Sequence, residues 1–223
     1  LKAKNFSHFC FIALLLFSIR VSGQHDRNSL WNLKMYPLSI IDPRFSTLQV
    51  GVERVVNRWA FEGSYGISTK IKTREFFRDP LSGHKIRLGV SWLYKQRKFN
   101  NQFLKLEYFH NEFRARAYDG WYEDLIDHGY VMFERAVSHF KAQGYLLSAG
   151  NRNYLDEKRK FFMDFSVGIG HRFVSNRFSE WENPRQYYRQ RPYTHSREPH
   201  TNGDLQNVSF DVRWAFGITL FKK

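Results

Sequence analysis

Apolar and polar residues alternate along most of this chain, as they do in β-strands whose two faces meet different surroundings. The C-terminal segment shows the pattern most clearly. One set of alternate positions is polar or small: Ser209, Asp211, Arg213, Ala215, Gly217 and Thr219. The positions between them are apolar: Phe210, Val212, Trp214, Phe216, Ile218 and Leu220. About a dozen alternating residues suit a tilted strand that crosses a membrane, which takes roughly 9–11 residues.

The same two-faced pattern predicts seven strands. They are Trp31–Met35, Thr47–Glu53, Trp59–Ser68, Lys85–Trp92, Leu104–Tyr108, Phe161–Gly170 and Ser209–Leu220. An eighth is expected between Tyr130 and Asn151, where Tyr145, Leu147 and Ala149 share a face. Single-chain membrane barrels have even strand numbers. The pattern therefore predicts an all-β fold, a single antiparallel up-and-down transmembrane β-barrel of eight strands, with ten as the alternative.

The predicted connections alternate in length. Those at Asn57–Arg58, 95–102 and 151–160 are short to medium, whereas those at 69–84, 112–129 and 174–206 are long. Outer-membrane barrels have short periplasmic turns and long extracellular loops in this order. The spacing therefore favours a barrel over a β-sandwich.

The first 23 residues differ from the rest of the chain. Lys2 and Lys4 precede an apolar run at Phe9–Phe17, and the small residues Ser22 and Gly23 follow. This order of basic, apolar and small-residue regions predicts a cleaved signal peptide at 1–23 and a barrel domain at 24–223. Cys10, the only cysteine, would leave with the signal peptide.

Composition adds a basic charge to this picture. The formal net charge is +14, and removal of Lys2, Lys4 and Arg20 with the signal peptide lowers it to +11. For an exported protein the natural acidic partners are outer-membrane lipid and lipopolysaccharide phosphates, and another envelope protein is a further candidate. Nucleic acid is not an expected partner.

If the apolar faces meet lipid, the polar faces point into the barrel. This predicts a lumen charge network of both signs, with Lys34 and Lys85 on the same face. Its members are Glu53, Glu62, Arg87, Lys105, Glu107, Asp164, Arg172, Asp211 and Arg213. An eight-stranded barrel has room only for side chains, so a packed plug is expected in preference to a narrow ion path.

A basic loop is predicted near the C-terminus. Arg185, Arg189, Arg191 and Arg197 lie between the last two strands, with Trp181 and several tyrosines among them. Arginine binds phosphate through two parallel hydrogen bonds, so this loop is a candidate for contact with lipopolysaccharide or with a partner protein.

Recognisable catalytic groupings are missing from the sequence. The histidines are scattered, with no HExxH spacing, and neither a phosphate-binding glycine loop nor a Gly-x-Ser-x-Gly element occurs. The adjacent pairs Ser138–His139 and His195–Ser196 are of a kind that arises by chance. No catalytic residue, cofactor or metal site is predicted, and the protein is expected not to be an enzyme.

Four segments resemble a known group of proteins. Asn32–Leu38, Leu48–Glu53, Phe61–Gly66 and Asp164–Arg172 are similar to strands of uncharacterised small outer-membrane β-barrel proteins of Bacteroidetes. The resemblance implies a bacterial outer-membrane location and carries no catalytic residue.

Three functions are weighed. The first is a barrel with a structural or interaction role in the cell envelope. The second is a soluble, lipocalin-like periplasmic barrel whose apolar face surrounds an apolar ligand. The third is a lipid-modifying barrel enzyme, which needs a clustered His, Ser and acid. Alternation alone does not say which face is inside.

Overall fold

The computed structural model describes residues 29–39, 46–69, 78–124, 129–182, 185–187 and 200–222. The predicted signal peptide lies outside these residues. Nine β-strands are present in the described part. They are β1 Ser29–Met35, β2 Thr47–Val56, β3 Trp59–Ser68, β4 Arg78–Gln96, β5 Asn100–Asp124, β6 Gly129–Tyr154, β7 Phe161–Glu182, β8 Arg185–Tyr187 and β9 His200–Lys222.

Eight of these strands close into a ring. Each of β1 to β6 pairs antiparallel with the next strand along the chain, and β9 pairs antiparallel with both β7 and β1. The closing register runs from Leu30 opposite Lys222 to Met35 opposite Phe216. The prediction of an all-β, eight-stranded, antiparallel up-and-down barrel is therefore confirmed. The ninth strand, β8, is a three-residue segment that pairs only with one end of β6.

One end of the ring carries the short connections. Asn57 and Arg58 join β2 to β3, residues 97–99 join β4 to β5, and residues 155–160 join β6 to β7. Asn57 adopts a φ of 57°, a left-handed conformation that asparagine tolerates better than most residues. In the last of these turns the Phe161 amide donates to Asp156 Oδ1 at 2.7 Å, which lowers the pKa of the Asp156 carboxyl.

The long loops were predicted to be too long, because the strands continue into the residues assigned to them. β5 and β6 stay paired up to Asp124 opposite Gly129, so the predicted loop at 112–129 is largely a β-hairpin. The eighth strand is likewise longer than expected and runs the whole way from Gly129 to Tyr154. β7 extends to Glu182 and β9 starts at His200, which also shortens the loop predicted at 174–206.

The barrel wall is consequently uneven in height. β1, β2 and β3 have 7, 10 and 10 residues, whereas β4 to β7 and β9 have 19 to 26. Above the short strands the tall wall closes on itself, since the end of β5 pairs in parallel with the start of β9 at residues 122–124 and 200–202. A single 3-10 turn, Pro37–Ser39, is the only helical segment in the described ranges. None of the described helices is long and apolar enough to cross a membrane.

Two inward-facing glycines make room for large neighbours. A Cβ built on Gly217 would lie 2.0 Å from Phe162 Cζ, and one built on Gly89 would lie 2.4 Å from Lys105 Cε. Phe162 is only 1% exposed and its ring packs 4.2 Å from the Arg152 guanidinium, so it has little freedom to move. Gly63, on the outer face, is different because a Cβ there would make an ordinary 3.7 Å contact with Leu88.

We predict that Gly217→Val lowers the free energy of unfolding by about 1–3 kcal/mol, the usual cost of overpacking. Gly63→Val is the matched control, since it also replaces a strand glycine, and its effect is expected to be smaller. Urea unfolding of both variants, followed by tryptophan fluorescence, measures the difference. Equal stability of the two variants would contradict the assigned inward and outward faces.

Candidate functional site

The part of the ring next to the short turns has a charged interior and an apolar exterior. Glu53, Glu62, Lys105 and Glu107 are each at most 6% exposed. Their neighbours along the strands point outward, and Val52, Phe61 and Leu106 are 43–59% exposed. The faces are therefore oriented as expected for a barrel whose apolar side chains meet lipid.

The lower half of the interior network is built around Lys34 and Arg152. The Lys34 ammonium lies 2.6 Å from Glu53, 2.5 Å from Glu62 and 2.8 Å from Asp164. Arg152 donates two hydrogen bonds to Asp164, each 2.7 Å long, and one to Glu53 at 2.8 Å. Each of the two cations therefore contacts at least two carboxylates, which compensates for its removal from water.

Neutral side chains also donate hydrogen bonds to the carboxylates in the lower half of the network. Asn32 Nδ2 donates to Glu53 at 2.7 Å, and the Tyr36 hydroxyl donates to Glu62 at 2.6 Å. Buried charges are tolerated only where their remaining hydrogen-bonding positions are also filled. These contacts fix Glu53 and Glu62 in single orientations.

The upper half of the network is centred on Glu107. Arg213 donates to both carboxylate oxygens of Glu107, at 2.5 and 2.6 Å, and Arg87 donates to the same group at 3.0 Å. Asp211 accepts from both arginines, at 2.6 and 3.1 Å. Lys105 joins the two halves, because its ammonium lies 2.6 Å from Glu62 and 2.9 Å from Glu107.

The network as a whole is balanced in charge. It contains five cations, Lys34, Arg87, Lys105, Arg152 and Arg213, and five carboxylates, Glu53, Glu62, Glu107, Asp164 and Asp211. The cavity left between these side chains is about 20 Å³. That is room for about one water molecule, so the interior at this level is a packed plug.

Apolar layers lie on both sides of the plug. Below it, towards the short turns, Val55, Ala60, Leu93 and Phe103 form a buried cluster. Above it, Phe109, Ala142, Leu146 and Val174 form a second one. The lower layer keeps bulk water from the ion pair of Lys34 and Glu53, which strengthens its attraction. On the upper side, Arg87 and Asp211 border a cavity.

Eight of the nine residues predicted for the lumen belong to this ion-pair network. The ninth, Arg172, also faces inward but lies higher, where it lines a cavity of about 290 Å³ together with Lys85, Arg87 and Asp211. Arg152 is the network member that sequence reasoning missed, since its segment was assigned to a turn. The alternation of Leu146 and Ser148, continued by four residues, would have placed Arg152 on the inner face.

The predicted basic loop is only partly described. Arg185 begins the short strand β8, and Arg189, Arg191 and Arg197 lie outside the described residues. Of the two Ser–His pairs, His195–Ser196 also lies outside them. Ser138 and His139 face opposite sides of the wall, with Ser138 1% exposed and bonded to Asn176, so they do not form a catalytic pair.

The polarity of the two faces inverts in the tall part of the wall. On β5 the outward residues change from Leu104, Leu106 and Tyr108 to His110, Glu112 and Arg114, while the inward ones change from Lys105 and Glu107 to Phe109, Phe113 and Ala115. β6 changes at the same level, because Tyr145 pairs with Tyr108 and the next outward residues are Gln143, Lys141 and His139. The outer surface is therefore apolar below this level and polar above it.

Aromatic side chains mark both edges of the apolar belt. Trp59, Trp92 and Tyr94 lie at the lower edge, and Tyr65, Tyr108 and Tyr145 at the upper edge. Along β3 the belt runs from Trp59 to Ile67. At about 3.3 Å per residue and a tilt of about 40° this is a height of roughly 20 Å, close to the apolar band of membrane barrels.

Comparison with protein-family models, with curated proteins and with solved structures finds no match for this chain. Its class is defined by its own geometry: an eight-stranded antiparallel β-barrel with a charge-balanced plug inside and an apolar belt outside.

We predict that Glu107→Ala lowers the free energy of unfolding by about 3–5 kcal/mol, because three buried cations lose a shared partner. Glu157→Ala is the control, since Glu157 is exposed and its contact with Lys98 is 3.7 Å long. Denaturant titration of both proteins measures the difference. An unchanged midpoint for Glu107→Ala would show that the buried pairs are not needed for stability.

Proposed function

We propose that this protein is a non-enzymatic β-barrel of a bacterial outer membrane, exported by a signal peptide, with a structural or interaction role. The observation that carries the proposal is the inversion of polarity between the two parts of the wall. The tall part of the wall above the belt is called the extension. Lipid around the belt and water around the extension account for an outer face that is apolar at one level and polar at the other.

The physical argument rests on the cost of exposed apolar surface. Burial of apolar area contributes about 25 cal/mol per Å², and a water-soluble protein seldom exposes a continuous apolar patch larger than a few hundred Å². Here apolar side chains that are more than one-third exposed occur on all eight strands of the ring. Lipid acyl chains can cover an apolar belt that runs around the whole barrel without interruption.

The interior favours a structural role over ligand binding. The lipocalin-like alternative needs an apolar inward face around a sizeable cavity, whereas the belt level holds ten charged groups and a cavity of about 20 Å³. The lipid-modifying enzyme needs a His, a Ser and an acid together on the outer face. Among the described residues, His139 Nε2 lies 3.1 Å from Ser179 Oγ, and neither side chain forms a hydrogen bond with a carboxylate.

The partners that suit the extension are lipopolysaccharide and other envelope proteins. Its outer surface presents Arg114, Arg135 and Arg177, which are 44–49% exposed and lie 2.6 to 3.2 Å from Glu180, Glu182 and Asp204. Arginine binds phosphate through two parallel hydrogen bonds, and the predicted basic loop with Arg185, Arg189, Arg191 and Arg197 is a further proposed contact. The resemblance to Bacteroidetes barrels agrees with this proposal.

The first test is electrophoretic mobility. A barrel folded in detergent or lipid is expected to migrate differently before and after boiling, because the closed sheet resists unfolding by the detergent until it is heated. Fractionation of the source cells should place the protein with the outer membrane. Recovery of the protein in the soluble periplasmic fraction would overturn the proposal.

A charge placed on the belt gives a sharper test. Val212 and Gln206 lie on β9, both are exposed, and both face outward, but Val212 lies in the belt and Gln206 above it. We predict that Val212→Arg costs about 2–4 kcal/mol of folding free energy in lipid bilayers, whereas Gln206→Arg costs at most about 1 kcal/mol. Unfolding titrations in vesicles measure both values. Equal costs for the two variants would contradict a lipid-facing belt.

A further inference from the structure

Two histidines and a glutamate that are distant in sequence meet on the outer face of the wall. His110 and Glu112 are two residues apart on β5 and therefore share a face. His84 lies directly opposite Glu112 on β4, and Ile86 lies opposite His110. The antiparallel register thus brings all three side chains to one spot at the upper edge of the apolar belt.

The ligand atoms of this cluster are close together. One imidazole nitrogen from each histidine and one carboxylate oxygen lie within 4.8 Å of one another. His110 Nε2 and Glu112 Oε2 are 3.7 Å apart, and the two imidazole centroids are 6.0 Å apart. Ligands in a tetrahedral zinc site are about 3.3 Å apart, given metal–ligand bonds of roughly 2.0–2.1 Å. Side-chain rotation covers the difference, because Glu112 is 54% exposed.

The surroundings hold the histidines while leaving one side open. The His84 ring stacks on Tyr65, with centroids 6.2 Å apart and an angle of 20° between the ring planes. The strand pairing fixes the backbone of all three residues. Lys141, opposite Glu112 on β6, is a cation that can compete for the carboxylate. Solvent reaches the cluster from outside, so a water molecule can complete the coordination.

We propose that His84, His110 and Glu112 bind one divalent transition-metal cation of the zinc type. Two imidazoles and a carboxylate form a donor set that zinc takes with a fourth position left for water. Hard cations such as Mg²⁺ and Ca²⁺ prefer all-oxygen sites and are not expected to bind. The bound ion links β4 to β5 at the edge of the belt. This inference depends on the register of these two strands and not on the proposed membrane location.

The experiment is a titration of the folded, metal-stripped barrel, prepared without a polyhistidine tag. Isothermal titration calorimetry with Zn²⁺ is expected to give one site per chain. Co²⁺ then serves as a spectroscopic probe, because tetrahedral nitrogen and oxygen ligation produces intense visible absorption. Mg²⁺ should give no heat of binding.

Variants assign the ligands. His84→Ala, His110→Ala and Glu112→Gln are each expected to weaken Zn²⁺ binding tenfold or more and to abolish the cobalt spectrum. His171→Ala is the matched control, since His171 is another outward-facing histidine, on β7, and its ring packs against Phe173 4.8 Å away. It should bind as the parent protein does. All these side chains lie on the outer face, so mobility before and after boiling checks that each variant is folded.

The inference fails if the parent protein shows no zinc binding. It also fails if His84→Ala and His110→Ala bind zinc as tightly as His171→Ala, since the metal would then lie at other histidines. Neither result would affect the tests of the belt.

Discussion

The constraint on which this molecule depends is the narrow interior of an eight-stranded ring. Such a ring holds side chains and almost no water, so each charged group that points inward must find its counter-charge there. The chain meets the constraint with five cations and five carboxylates, and Lys105 joins the lower set of ion pairs to the upper one. The glycines of the inner face belong to the same solution, because Gly89 leaves the volume that the Lys105 stem occupies.

Because the charged residues of the belt point inward, its apolar residues point outward. The outer surface of the belt is therefore apolar. Along the belt the outer face is apolar and edged by aromatic residues. Above Tyr108 and Tyr145 the faces exchange roles, with Phe113 and Phe133 inside and charged residues outside. One continuous sheet therefore has an apolar outer surface at one level and a polar outer surface at the other. In the extension apolar side chains fill the interior, whereas in the belt ion pairs fill it and each buried charge is compensated by its partners.

The exchange of roles also explains where sequence reasoning failed. Prediction of strands relied on an apolar outer face, so β5 was ended near Tyr108 and the charged residues beyond it were assigned to a loop. The residues Phe109, Phe113 and Ala115 keep a period of two, but their polarity is reversed relative to Lys105 and Glu107. Arg152 was missed for a different reason, because the end of β6 was placed at Asn151, whereas the strand continues to Tyr154. His84 and His110 were judged scattered, since only the pairing of β4 with β5 brings them together.

The sequence by itself determined the class of fold, the number of strands in the ring and most of the inward and outward residues of the belt, because alternation with a period of two is a local property that needs no knowledge of the partners. It also identified eight of the ten charges in the plug, and placed Lys34 on the same face. Only the tertiary structure decided which charges form ion pairs, how tall the wall is and that His84 lies next to Glu112. These depend on register and closure, which bring together residues far apart in the chain, such as Asn32 and Thr219, 187 positions apart.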